Sequence, residues 1–285
     1  MRYKGRRQSS NVEDRRGMSG GRKIGLGGGI GAIVIVLIVM FLGGDPSSVL
    51  NMMQGQQEGA STESTYQPSA EEQQLTEFVG VVLADTEDVW HEIFKNSGME
   101  YREPRLVLFS SRVESACGTS GSATGPFYCP GDERVYIDLQ FLGQLQQQLG
   151  AEGDFAVAYI IAHEVGHHVQ KLLGTLDQVH ELRGKVSDKK YNAETVKLEL
   201  QADFYAGIWA HHAQRMKNIM EEGDLSEAMN AAQAVGDDRI QKQSQGYVVP
   251  DSFTHGSSEQ RMHWFKKGFT TGNVEDGDTF NATDL

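Results

Sequence analysis

Apolar positions recur at spacings of three and four along residues 71–96: Leu75, Phe78, Val79, Val82 and Leu83, then Val89, Trp90, Ile93 and Phe94. That period predicts one interrupted amphipathic helix or two short ones, closed by Gly98. Strict alternation replaces it in Val135–Leu139, where Val135, Ile137 and Leu139 oppose Tyr136 and Asp138; Arg105–Phe109 has similar strand character. Helical spacing returns from Asp154, a candidate cap, to Leu173, with Gly174 as the stop. A further helix is expected behind Asn192, with an apolar stripe of Leu198, Ala202, Tyr205 and Trp209. Asp224 to Glu227 and Ser257 to Gln260 fit capping boxes that open two more. The pattern predicts a mainly α domain with a small β-sheet, an α+β fold.

One stretch has no period at all. Ile24 to Leu42 is 19 residues without a charge, and at ~1.5 Å of rise per residue it covers a hydrocarbon core of ~30 Å. It is expected to be a single retained transmembrane helix. Eight Lys and Arg against two acids precede it, giving residues 1–23 a charge of +6 and leaving −19 of the total −13 to the rest. The positive-inside bias then keeps the amino end cytoplasmic and sends the carboxyl end across the membrane. Residues 43–70, rich in Gly, Gln, Ser and Thr, cannot bury a core and are expected to be a flexible tether. The predicted organisation is therefore a basic cytoplasmic head at 1–23, the span at 24–42, the tether at 43–70 and a globular domain at 71–285.

Composition narrows the possibilities. With 39% hydrophobic and 23% charged residues and a mean hydropathy of −0.43, the chain is no multi-span membrane protein. An acidic main domain also makes nucleic acid an unexpected partner; the anchor makes membrane lipid an expected one. Oligomeric state is not encoded in these patterns. Cys117 and Cys129 are the only cysteines, in a Gly- and Ser-rich stretch. In an oxidising compartment they are expected to pair, closing a short loop for a gain of about 3 kcal/mol.

The chemistry sits in Ile161-Ala162-His163-Glu164-Val165-Gly166-His167-His168. In H-E-x-x-H on a helix, His163 and His167 lie one turn apart on one side and can converge on a tetrahedral metal ion. Glu164 lies about 100° around the helix, near the metal yet free to handle protons. The helix is apolar nearly all round, so two unliganded histidines there would bury unmatched nitrogens. His168, the offset neighbour, is expected in an outer layer or on the surface. The third ligand is expected to be Glu199, with Asp203 one turn on accepting a hydrogen bond from a ligand histidine. His180, His211 and His212 are the rival third ligands.

HEVGHH followed by ELQAD resembles the gluzincin pattern of zinc metallopeptidases. With RYKGRRQSSNVEDRR, GPFYCPGDERVYIDLQF, ELQADFYAGIWAHH and SFTHGSSEQRMHWFKKG, the chain more closely resembles the bacterial neutral zinc metallopeptidase family of YpfJ type, over nearly its whole length outside the tether. The resemblance implies a gluzincin-like scaffold, an inner-membrane location, Zn2+ as cofactor and a peptide or protein substrate. T-H-G-S-S-E-Q-R is similar to the H-P-x-x-x-x-R element of membrane-linked gluzincins, with Gly256 in place of Pro. That similarity implies His255 as a stabiliser of the oxyanion, with Arg261 bracing it; Tyr247 is a rival donor. The expected activity is peptide-bond hydrolysis, with Glu164 as general base toward a zinc-activated water. Val135–Leu139 is expected to offer an edge strand to an extended peptide. A membrane-tethered zinc-binding protein with a binding or chaperone-like role and no protease activity is the alternative.

Overall fold

The computed structural model describes residues 1–17, 66–121, 124–142, 153–283 and 285. The predicted span at 24–42 and most of the tether lie outside the described residues. No helix among the described residues is long and apolar enough to cross a membrane.

The architecture is mainly helical with a small sheet. In chain order it runs β1 (Val12–Asp14), α1 (Ala70–Asn96), β2 (Arg105–Phe109), β3 (Arg112–Ser115), β4 (Gly118–Gly121), β5 (Phe127–Cys129), β6 (Arg134–Asp138), α2 (Asp154–Leu173), α3 (Thr175–His180), α4 (Asp188–Lys217), α5 (Asp224–Ala234), α6 (Asp237–Gln245) and α7 (Ser258–Thr271). Residues 71–96 form one helix, not two. Ser69 and Glu72 make a reciprocal capping box at its start, and Val79, Val81, Val82 and Leu83 are all fully buried, so one continuous apolar surface holds it together.

Three expected caps prove to be other residues. Ser187, not Asn192, caps α4 by accepting from Lys190 N; Asn192 lies inside the helix and donates to Asp251 O. At α5 the cap is Gly223 in a left-handed conformation, with no side-chain cap. Asp154 is the first residue of α2 rather than its cap. Glu227, from α5, accepts from Phe155 N at 3.0 Å and so serves the start of α2 from outside. Local sequence cannot announce a cap supplied from 72 residues away. The box of Ser257 and Gln260 at α7 forms as expected.

The four-stranded sheet has the order β1-β2-β6-β5, with β1-β2 and β2-β6 parallel and β5-β6 antiparallel; β3 and β4 form a separate hairpin. This corrects the edge-strand expectation: β6 is an inner strand, hydrogen-bonded on both sides, and among the described residues the outer strands are β5 and β1. The Cys117–Cys129 disulfide ties the turn of the β3-β4 hairpin to the end of β5.

The outermost strand at the other edge, β1, comes from the basic head. Val12 pairs with Leu106 and Asp14 with Leu108. Arg6 meets Asp85 at 2.6 Å, and Arg7 meets Glu87 at 3.0 Å and Asp88 at 2.6 Å, all on α1. The Tyr3 ring packs edge-on against Phe78. The first seventeen residues are thus part of the folded domain rather than a solvated arm.

Candidate metal centre

The floor of the site is the crossing of α2 and α4. It is close because Gly166 has no side chain: a Cβ there would lie 3.0 Å from Ala202 O and 3.2 Å from Ala202 Cα. That approach of two backbones sets Glu199, three residues before Ala202, opposite the turn that carries His163 and His167. One donor atom from each of the three lies within 4.8 Å of the others. His163 Nε2 is 3.2 Å from Glu199 Oε2, and His167 Nε2 is 3.5 Å from Glu199 Oε1. Tetrahedral zinc with Zn–N bonds of about 2.0–2.1 Å requires donor–donor edges of about 3.3 Å. Two neutral imidazoles and a carboxylate also supply the donor types zinc takes, so the residues fit the ion.

The other ring nitrogens are engaged. His163 Nδ1 donates to Asp203 Oδ1 at 2.8 Å. His167 Nδ1 donates to Gln170 Oε1 at 2.9 Å, and Gln170 in turn donates to Leu198 O and Gln201 Oε1. With Nδ1 engaged in both rings, a bound metal would take Nε2, the nitrogen that faces Glu199. Sequence reasoning foresaw Asp203 and missed Gln170. Its position, three residues after His167 on the same helix face, was the available signal.

Asp203 is the hub of the buried charge. It accepts from Tyr159 Oη at 2.5 Å, from Arg261 Nε at 2.8 Å and from an Arg261 terminal nitrogen at 3.0 Å. Burial works to raise its pKa, but the charges of Arg261 and His163 outweigh it and bring it to about 2. For His163 burial works downward, and Asp203 with Glu199 overcomes it, raising the ring to about 10 without a metal. Glu199 is held well below the usual carboxylate range: burial opposes this, and the charge of His167 with the histidine hydrogen bonds prevails. Arg261 therefore braces Asp203, which corrects its expected place beside His255. A guanidinium fork matched to a buried carboxylate is the stronger pairing.

His255 comes to the site by other means. Asp237, the first residue of α6, accepts from the backbone N–H of Thr254 and His255 at 2.7 Å each and of Gly256 at 3.2 Å. Its second oxygen lies 3.3 Å from His255 Nδ1. Gly256 has φ +92, a region closed to proline, so this turn differs from an H-P turn and the glycine is required by its backbone. His255 nonetheless reaches the cleft, half-exposed.

Above the donors lies a cleft of about 450 Å³. His163, Glu164, His167, Glu199 and His255 form its polar part; Phe127, Phe141, Ile160, Val235 and Ile240 form its apolar walls. Glu164 is outside the three-donor cluster yet faces the same space. Phe127 and Tyr128 carry the outer edge of β5 to the rim.

The rival residues lie elsewhere. His211 and His212 bond Phe269 O and Gly272 O at 2.8 Å each, and His180 joins no three-donor cluster among the described residues. Tyr247 is exposed and does not line the cleft. His168 is fully buried, not on the surface: its ring bonds Tyr128 Oη and Arg102 O, fastening α2 to β5 and the chain before β2.

Comparison with known proteins agrees with this geometry. The family described as "Putative neutral zinc metallopeptidase" matches residues 1–280. The chain belongs to that family. It is 47% identical over 288 residues to the uncharacterized protein YpfJ of Escherichia coli (strain K12), covering 99% of this chain and all of the relative. It is 38% identical over 262 residues to the uncharacterized protein Rv2575 of Mycobacterium tuberculosis (strain H37Rv), covering 86% of each. No solved structure matches. Zn2+ is the cofactor of such a family, and peptides or proteins are its substrates.

Proposed function

We propose that the chain is a zinc-dependent endopeptidase, associated with a membrane through residues 24–42. The observation that carries the reading is the position of Glu164: it faces the cleft beside His163, His167 and Glu199 without belonging to their cluster. When bound, the metal supplies Lewis-acid chemistry, polarising a carbonyl and acidifying a water. His163, His167 and Glu199 hold it, with Asp203 and Gln170 fixing the ring orientations of the two histidines. Glu164 accepts a proton from the attacking water and returns it to the leaving amine. His255 donates from its Nε2 toward the developing oxyanion. A substrate in extended form adds its backbone to the outer edge of β5, which needs no particular sequence in the partner, and the apolar walls take its side chains.

The test is cleavage of an unfolded protein substrate by wild type and Glu164→Gln, with and without chelator, alongside zinc content. One zinc per chain in both is expected, with cleavage in wild type alone and a loss of about 10² to 10⁴ in kcat for the variant. One zinc per chain with no wild-type cleavage would instead favour a tethered zinc-binding protein. Equal rates in the two would refute the role of Glu164.

A further inference from the structure

A chain that crosses a membrane once at 24–42 must separate its first 23 residues from the domain that follows, whichever way it is oriented. The folded domain is incompatible with that separation. Glu87 is a buried carboxylate on α1, and among the described residues its hydrogen-bond partners are Arg7, Ser9 and Asn11, all from the head. Asp85, also buried, receives Arg6 beside Lys217. The backbone is committed as well. Ser9 N donates to Gly80 O at 2.9 Å, Leu106 N to Asn11 O at 2.9 Å, Arg15 N to Leu108 O at 2.8 Å and Arg2 N to Ile219 O at 2.7 Å. Gly80 adds a steric match, since Gln8 lies over it where a Cβ would stand 3.3 Å away. A domain folding without the head would bury a glutamate with no partner and leave β2 an open parallel edge.

We propose that residues 1–17 and the domain from residue 66 onward occupy the same side of the membrane, so that the chain between them begins and ends on one face of the bilayer. The head is an internal part of the domain, and Arg6 and Arg7 pair with Asp85, Glu87 and Asp88 of α1 rather than serving as an orientation signal. The inference is independent of catalysis and stands whether or not the chain cleaves peptides.

Single cysteines at two exposed positions, Lys4→Cys and Glu222→Cys, test this in the full-length chain expressed in bacterial spheroplasts. A membrane-impermeant maleimide is applied before and after permeabilisation, with the melting temperature of each purified variant checked against wild type. The expected result is a matched pair: both positions react in intact spheroplasts, or both react only after permeabilisation. The first pattern is the one the Cys117–Cys129 disulfide leads us to expect, since it requires an oxidising side. Reaction of one position and protection of the other in intact spheroplasts would overturn the proposal.

Discussion

At the scale of single residues, the contrast between Asp203 and Asp237 shows what a sequence can and cannot announce. Asp203 is one turn from Glu199, so its service to His163 follows from helical spacing alone. Asp237 lies 18 residues from His255 on a different element, and its three backbone hydrogen bonds follow only from tertiary folding. Two further functional neighbours, Gln170 and Tyr159, sit on the H-E-x-x-H helix itself, where polar side chains at i+3 and i−4 from the ligands were the signal. If Asp237 acts by presenting His255, the two must not behave additively. Asp237→Ala and His255→Ala are each expected to lower kcat by about 10- to 100-fold, on the order of removing one weak oxyanion donor. The double variant should be no slower than the His255 variant. Steady-state kinetics of all three would settle it; a double variant slower by the product of the two losses would show Asp237 acting elsewhere. An NMR signal for the Nδ1 proton of His255, lost in Asp237→Ala, reads the contact directly, and its persistence in the variant would show that Asp237 does not present the ring.

Among the elements, the long helices were legible because each repeats its apolar period over several turns, while the short α3 and α6 went unforeseen and strands of three to five residues left too little pattern to order a sheet. Val135–Leu139 alternates well and was expected at an edge. It is inner because β5, only three residues long, pairs along it, and no sequence signal of that length outweighs the glycines around it. Helix boundaries slipped for a related reason, since Glu227 caps α2 from α5. The crossing of α2 and α4 was legible only as a list of ligands. What brings them together is the absence of a side chain at Gly166. Gly166→Ala would place a methyl carbon 3.0 Å from Ala202 O, and the two helices must part by a few tenths of an ångström to admit it. We expect a stability loss of about 1–3 kcal/mol, as for other overpacked contacts, with weaker zinc binding because Glu199 retreats from both histidines. Chemical denaturation and chelator competition measure the two effects. Unchanged zinc affinity would mean that the crossing distance does not set the site.

For the whole molecule, the amino-terminal arginines carry two incompatible readings that stability can separate. As a solvated topology signal, every basic residue of the head would count alike and none would matter to folding. As packed structure, they count according to what they meet. Deletion of residues 2–17 removes β1 and every hydrogen-bonding partner that the buried Glu87 has among the described residues, and stripping a buried charge of its partner costs about 3–5 kcal/mol. Domains of ordinary stability hold only about 5–15 kcal/mol in reserve, so the deletion is expected to lower the urea midpoint severely or abolish folding. Lys4→Ala, at an exposed position, should stay within about 0.5 kcal/mol of wild type. An unchanged midpoint for the deletion would return the head to the role of a free arm. A large loss has a consequence for the candidate metal centre too: the head reaches α2, where the amino group of Met1 lies 2.7 Å from Asp154 Oδ1. The helix that presents His163, Glu164 and His167 is thereby held at its first residue by the amino group of Met1.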